Sequence, residues 1–295
     1  MFSSSQPTQT WTQTQLSQFL QARIMLLIGL TGSIATGKST VSSLLSAPPH
    51  SLPIVDADVL ARKVVEPGTS CYRAIVEHFG PSTPGLLVEA SDSMPANGPD
   101  GKGRPLDRAA LGKRVFGDGQ ERTRDRAALN AMVHPAVRWE MTKQVLGCYL
   151  RGHWAVVLDV PLLFEGGLDR FCGVVVVVAV SDRETQLRRL MARDPHLGRD
   201  DAEHRVRSQA DVGVKAARCA ARGRGRGVVL RNDASPRELA ASLDGAMAEL
   251  QRSSPELWSW VLLACPPLAL AVAAWRFCQN VHINRQWEKQ TRGKL

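Results

Sequence analysis

One stretch constrains this chain more than any other: Gly32-Ser33-Ile34-Ala35-Thr36-Gly37-Lys38-Ser39, followed by Thr40. It fits the spacing GxxxxGK[ST] and lies between an apolar run, Ile24–Leu30, and an apolar-periodic run, Ser39–Leu45. Those flanks predict a buried strand, a loop and a helix in that order. The glycines let consecutive backbone N–H groups turn inward onto phosphate oxygens, and the helix opening adds a favourable dipole. All nine residues, Gly32 to Thr40, are thus candidates for a phosphate cradle. Lys38 suits the β- and γ-phosphates of a nucleotide, and the Ser39 hydroxyl suits Mg²⁺.

The rest of the chain extends the pattern. Ile54 and Val55 read as a short strand ending at Asp56-Ala57-Asp58. Ala155–Val160 and Gly173–Val180 are continuous apolar runs, which suit central strands of a parallel sheet covered on both faces. Gly227–Leu230 reads as a last strand. Helical patterns fall at Val59–Val65, Cys71–Phe79, Thr185–Arg193, Asp200–Ala221 and Pro236–Leu250. Strands alternating with helices predict an α/β domain over residues 24–252, a P-loop core with a parallel sheet flanked by helices. Leu106–Leu150 reads as a helical insertion, and Gly80–Pro105, rich in Gly, Pro, Ser and Asp, as a partly flexible loop. Residues 1–23, rich in Ser, Thr and Gln, read as a disordered extension with neither a secretory nor an Arg-rich targeting signature.

The formal net charge of +9 suits anionic partners without choosing among metabolites, nucleic acid and lipid. The six cysteines have no CxxC or zinc-ligand spacing and read as free thiols.

A phosphate cradle does not name a reaction. The Asn-Lys-x-Asp motif of guanine-binding proteins is absent. Asp56 and Asp58 stand at the end of the second strand, where open parallel sheets bind ligands. A carboxylate there can orient an attacking hydroxyl and take its proton, or simply cap the next helix. Asp159, on a core strand, suits either the water shell of a Mg²⁺ ion or a strand-end hydrogen bond. Glu165 would close the same site or cap the next segment. Arg188, Arg189, Arg193 and Arg199 surround the loop Asp194–Gly198. Arginines so placed can close on a transferring phosphoryl group, Arg193 foremost; the alternative is a solvated helix face.

Several blocks in a fixed order make the chain resemble the dephospho-CoA kinase family. They are Ile28–Thr40, Val55-Asp-Ala-Asp-Val-Leu-Ala-Arg62 continuing to Gly68, Leu106–Leu111, Leu129-Asn-Ala-Met-Val-His134-Pro135, Leu158-Asp-Val-Pro-Leu-Leu-Phe-Glu165, Gln186–Leu190 with Arg193-Asp194, and Arg205 to Gln209. The resemblance implies ATP-dependent phosphorylation of the ribose 3′-hydroxyl of dephospho-CoA, with Mg²⁺. It implies a nucleotide-binding core, a helical CoA-binding part over residues 106–150 and a lid over 188–204. By the same carry-over Asp58 is the general base, Arg62 lies near the substrate phosphates, and the helices holding Leu129–Pro135 belong to the CoA-binding part. Read from the residues, Asp56 and His134 are candidates for substrate binding, and His134-Pro135 is expected to shape a turn rather than perform catalysis. The alternatives are another P-loop small-molecule or nucleotide kinase, and a non-catalytic membrane-anchored nucleotide-binding adaptor. One departure is plain: the family's usual TGGIGSGK is here Thr31–Lys38, with Ser33 and Ala35 at two glycine positions.

Two stretches stand apart. Arg222-Gly-Arg-Gly-Arg-Gly227 resembles nucleic-acid-binding Arg-Gly runs but is short, and no nucleic-acid partner is expected from it. Leu257–Trp275 carries no charge, has tryptophans near both ends and is followed by a basic segment to residue 295. It is expected to be a transmembrane tail anchor with the kinase facing the cytosol, the mitochondrial outer membrane being the leading address. On that expectation, removing Leu257–Leu295 would leave an active kinase.

Overall fold

A computed structural model describes residues 25–117, 119–208, 211–252 and 266–292. The N-terminal extension to residue 24 lies outside them. The elements run β1 (Leu26–Gly32), α1 (Lys38–Ser46), β2 (Ile54–Asp56), α2 (Ala57–Lys63), α3 (Ser70–Phe79), α4 (Arg108–Val115), α5 (Gln120–Leu150), β3 (Ala155–Asp159) and β4 (Val174–Ala179). They continue through α6 (Arg183–Arg193), α7 (Arg199–Arg207), α8 (Val212–Ala220), β5 (Gly227–Arg231), α9 (Pro236–Arg252) and α10 (Pro266–Arg292). Contacts divide the chain into two compact units, Met1–Ile54 with Cys148–Leu295, and Val55–Gly147.

The first unit is built on a five-stranded sheet of order β2-β3-β1-β4-β5, with β2 lying where the chain passes into the second unit. Parallel pairing sets Ile28 opposite both Val157 and Val174. Every residue of β3 and β4 is buried, as their apolar runs predict, and the burial includes Asp159 at the end of β3. Val41 and Leu45 of α1 join Leu239, Leu243 and Met247 of α9 in one core with Ile28 and Leu30. Because β1, β3, β4 and β5 run in the same direction, their carboxyl ends share one edge. Gly32, Asp159, Ala179 and Arg231 end the strands there, where ligands of open parallel sheets bind.

The helix expected over Asp200–Ala221 is two helices. Asp211 accepts from Gly213 N at 2.6 Å and so caps α8, while α7 stops at Arg207.

The second unit packs α3, α4 and α5 around Cys71, Tyr72, Ile75, Phe79, Leu106 and Val115. Its connection from Gly80 to Pro105, expected to be partly flexible, is stitched by its own backbone: Gly98 N donates to Pro95 O at 2.8 Å and Gly103 N to Asn97 O at 2.8 Å. Tyr72 Oη fixes its end by donating to Arg104 O at 2.6 Å. In place of the turn expected at His134-Pro135, α5 runs through the pair unbroken for 31 residues. Pro135 has no N–H, so the Ala131 carbonyl loses its helical donor; packing of Leu129, Met132, Val133 and Ala136 into the core holds the helix despite that loss.

The C-terminal stretch departs from expectation as well. Residues 257–265 of the expected span lie outside the described ones. From Pro266 the chain is a single helix that passes Trp275 and continues to Arg292, joining the apolar and basic segments. Proline is tolerated in a first helical turn, which is where Pro266 and Pro267 fall. Among the described residues no helix is long and apolar enough to cross a membrane.

Candidate active site

The turn from β1 into α1 is fixed by residues distant in sequence. Gly37 caps α1 at φ 94°, and a Cβ there would lie 2.3 Å from Asn232 Nδ2. A Cβ on Gly32 would meet Thr36 Oγ1 at 2.7 Å and Val178 O at 2.9 Å. Both glycines of the motif are therefore required by sterics. Ala35, at one of the family's glycine positions, sits at φ 59°, in the left-handed region that L side chains disfavour.

Three side chains pin the loop. Thr36 Oγ1 donates to Ser33 O at 2.9 Å, Gln186 Nε2 to Ile34 O at 2.6 Å, and Asn232 Nδ2 to Thr36 O at 2.9 Å. The carbonyls are thus held by the protein. Gln186 lies in one of the quoted sequence blocks, but Asn232 belongs to none of them; its position immediately after β5, at the binding edge, is the signal that marks it. Ser39 and Thr40 are exposed on the first turn of α1.

Lys38 Nζ donates to Asp159 Oδ1 at 2.5 Å, the lysine side chain 20% and the carboxylate 3% exposed. Asp159, the last residue of β3, thus accepts a hydrogen bond from the lysine of the loop. Two residues on, Pro161 O accepts from Thr31 Oγ1 and from Lys215 Nζ, each at 2.8 Å. Lys215, buried on α8, also pairs with Glu165 Oε1 at 3.2 Å. Glu165 is therefore a partner of Lys215, and nothing in the local sequence announces that lysine.

The arginines around the loop Asp194–Gly198 separate. Arg199 makes a bidentate pair with Glu184, at 3.1 and 2.9 Å, and that hydrogen bonding raises its already high pKa. Arg189 donates to Asn232 O at 2.9 Å. Arg193, 58% exposed, pairs with Asp194 at 3.2 Å, an interaction that solvent screens. The packing around α6 and α7 is apolar: Leu187, Leu190 and Ala202 pack with Ile34 and Ala35 of the phosphate loop. Asp233 accepts from Ser181 N and Ser181 Oγ, each at 2.7 Å, and the backbone bond chiefly holds its carboxyl below the usual range.

Asp56, Asp58, Arg62 and His134 belong to the second unit. Asp56 Oδ1 accepts from Asp58 N at 2.8 Å and Val59 N at 3.0 Å, so Asp56 is the cap of α2. That leaves the Asp58 side chain exposed in the first helical turn, with Arg62 exposed one turn later and His134 exposed on α5. Among the described residues no cluster of His, Cys, Asp and Glu could hold a metal ion by itself. A hydroxyl at Ser39 and a carboxylate at Asp159 are hard oxygen donors, the kind that suits Mg²⁺ shared with phosphates and water.

The sequence model of the family described as CoaE: Dephospho-CoA kinase matches residues 26–236. Dephospho-CoA kinase CAB5 of Saccharomyces cerevisiae is 41% identical over 250 residues, covering 85% of this chain and 92% of the yeast protein. A dephospho-CoA kinase of Halalkalibacterium halodurans is 44% identical over 193 residues, or 65% of this chain and 84% of the bacterial one. Among solved structures, TT1252 from Thermus thermophilus aligns with a TM-score of 0.59 at 30% identity, covering 77% of this chain and 99% of that one. With its phosphate loop intact and most of its length matched, the chain belongs to the dephospho-CoA kinase family.

Proposed function

We infer that this protein transfers the γ-phosphoryl group of ATP to the ribose 3′-hydroxyl of dephospho-CoA, giving coenzyme A and ADP. The observation that carries the reading is the phosphate loop at the carboxyl end of β1, its lysine facing Asp159, in a chain matched to the family over residues 26–236. Backbone N–H groups from Gly32 to Thr40 bind the phosphates. Lys38 exchanges Asp159 for the β- and γ-oxygens and neutralises charge that develops on the moving group. A Mg²⁺ ion would be held by Ser39 and through water by Asp159, and would supply neutralisation of phosphate charge. Asp58 takes the proton from the acceptor hydroxyl; its place in a helix turn already capped by Asp56 supports that role. Arg193 closes on the transferred group, and Arg62 and His134 contribute to holding the acceptor.

The test is ADP formation from ATP and Mg²⁺ with dephospho-CoA, AMP, adenosine or gluconate as acceptor. Turnover confined to dephospho-CoA, and lost in Asp58→Asn, supports substrate and base together. Turnover with another acceptor discards the substrate assignment, and none at all favours the adaptor reading.

Attachment to an intracellular membrane, with the kinase facing the cytosol, is a separate proposal. It rests on the charge-free Leu257–Trp275 sequence and on Leu270 and Trp275, which are 72% and 65% exposed. Recovery of the full chain in a high-salt supernatant would refute it.

A further inference from the structure

The helix α10 lies beyond the residue at which the family match ends, yet its second half is built into the first unit. Asn280 and Asn284, one turn apart on the same face, are only 3% and 7% exposed. Asn284 Nδ2 donates to Asp169 Oδ2 at 2.8 Å. Asn280 Nδ2 donates to Arg170 O at 2.9 Å and Cys172 O at 3.1 Å, while its Oδ1 accepts from Arg222 Nη2 at 3.0 Å. Arg222 and Asp169 pair at 3.2 Å with both side chains 0% exposed. Phe277 stacks on Phe171 with ring centroids 5.2 Å apart, and Gln279 Oε1 accepts from Arg226 Nη2 at 2.8 Å.

This arrangement accounts for two arginines of the Arg-Gly run; the third, Arg224, is 92% exposed and pairs with Glu249 at 3.0 Å. Arg222 and Arg226 face the helix, and Gly227 lets β5 start beside Cys219 O, which a Cβ would approach to 1.9 Å. The receiving segment, Asp169 to Cys172, ends the connection that begins at Asp159. That connection is a compact turn, with Gly166 N donating to Leu162 O at 2.8 Å and Leu168 N to Leu163 O at 3.0 Å. Its front is fixed at Pro161 O by Thr31 and Lys215. Its back is fixed by the C-terminal helix.

We propose that Asn280 and Asn284 are positioning residues of the kinase, holding the β3–β4 connection from behind and thereby Asp159 opposite Lys38. Two buried asparagines at helical spacing hydrogen-bond one oxygen of a buried carboxylate, one guanidinium nitrogen and two carbonyls. Such a fully buried polar network tolerates little displacement. The C-terminal helix is then a working part of the enzyme, and the expectation that residues 257–295 are dispensable is reversed.

The proposal rests on the kinase reading for its activity readout, so the experiment carries a second readout that does not. In the full-length chain, Asn280→Ala with Asn284→Ala is compared with wild type at 20 °C for kcat, KM for ATP, and amide hydrogen exchange over residues 161–173. Exchange in that segment should quicken, and kcat should fall about tenfold, with KM for ATP changed less than about twofold. Wild-type protein inactive with dephospho-CoA would sink the kinase reading, and the positioning role would fall with it, whatever the exchange showed. Quickened exchange with wild-type kcat would overturn the positioning role, and unchanged exchange would overturn the clamp altogether. Should the double variant fail to fold, Asn284→Ala alone removes one bond, and the same changes in exchange and kcat support or overturn the proposal.

Discussion

Two glycine-rich basic loops sit at opposite ends of the same parallel sheet. Gly32–Lys38 leaves β1 at its carboxyl end, whereas Arg222–Gly227 enters β5 at its amino end. Each presents a cation to an aspartate. In the first, Lys38 keeps a fifth of its side chain exposed and pairs with an acid that lies at the binding edge. In the second, guanidinium and carboxylate are both wholly enclosed, and the C-terminal helix adds a hydrogen bond to each. Glycine and positive charge alone therefore do not make an anion site. What decides is the end of the strand at which the loop lies, and whether the protein has already consumed the cation.

The contrast can be broken most forcefully at Lys38. Lys38→Met should lower kcat/KM by about 10³-fold or more, because charge on the transferred group loses its nearest partner; steady-state kinetics reads this directly. Arg222→Met should instead act on stability. It leaves the Asp169 carboxylate buried without its cation, at a cost of about 3–5 kcal/mol in the unfolding free energy read by urea titration. Adding Asp169→Leu should restore most of that loss, since a buried pair and its apolar replacement are often nearly equivalent.

Titration sharpens the same contrast. Burial pushes the thiols of Cys172 and Cys219, both within the field of Arg222, up to about 12. A folded-state pKa raised above the unfolded value, here 9.0, gives stability that is complete below pH 9 and is lost progressively as pH rises toward 12. At pH 10 each thiol should cost about 1 kcal/mol relative to pH 8. Urea midpoints at the two pH values, compared with those of Cys172→Ala and Cys219→Ala, isolate that difference.

Smaller effects belong to the phosphate loop itself. Asn232→Ala frees the Thr36 carbonyl and should raise KM for ATP about tenfold, equivalent to roughly 1.4 kcal/mol. Ala35→Gly relieves a left-handed alanine and should stabilise by up to about 1 kcal/mol in thermal unfolding.

The phosphate loop is legible in the sequence because its chemistry is local: residues within nine positions of one another bind one group. The valine runs are legible for a similar reason, since burial on both faces leaves no polar alternation. Asn232, Gln186 and Lys215 are less so. Each acts across a sequence separation, 196 residues for the bond from Asn232 to Thr36, so the block that holds Gln186 and the strand end that precedes Asn232 mark their positions without naming their partners. The burial of Arg222 is not legible in the Arg-Gly run, whose composition is shared by exposed binding segments, because it depends on Asn280, 58 residues away. Pro135 and Pro266 show the limit of reading proline as punctuation. One is carried inside a long helix by packing, and the other opens a helix where its missing N–H has no partner to lose.

The most direct measurement is kcat for dephospho-CoA phosphorylation at 15 °C in wild type, Lys38→Met and Arg222→Met, each first shown by circular dichroism to be folded. The account predicts turnover reduced about 10³-fold or more in Lys38→Met, and within about tenfold of wild type in Arg222→Met. Equal losses in the two folded variants would contradict the distinction between a loop that binds phosphate and a loop that holds the scaffold.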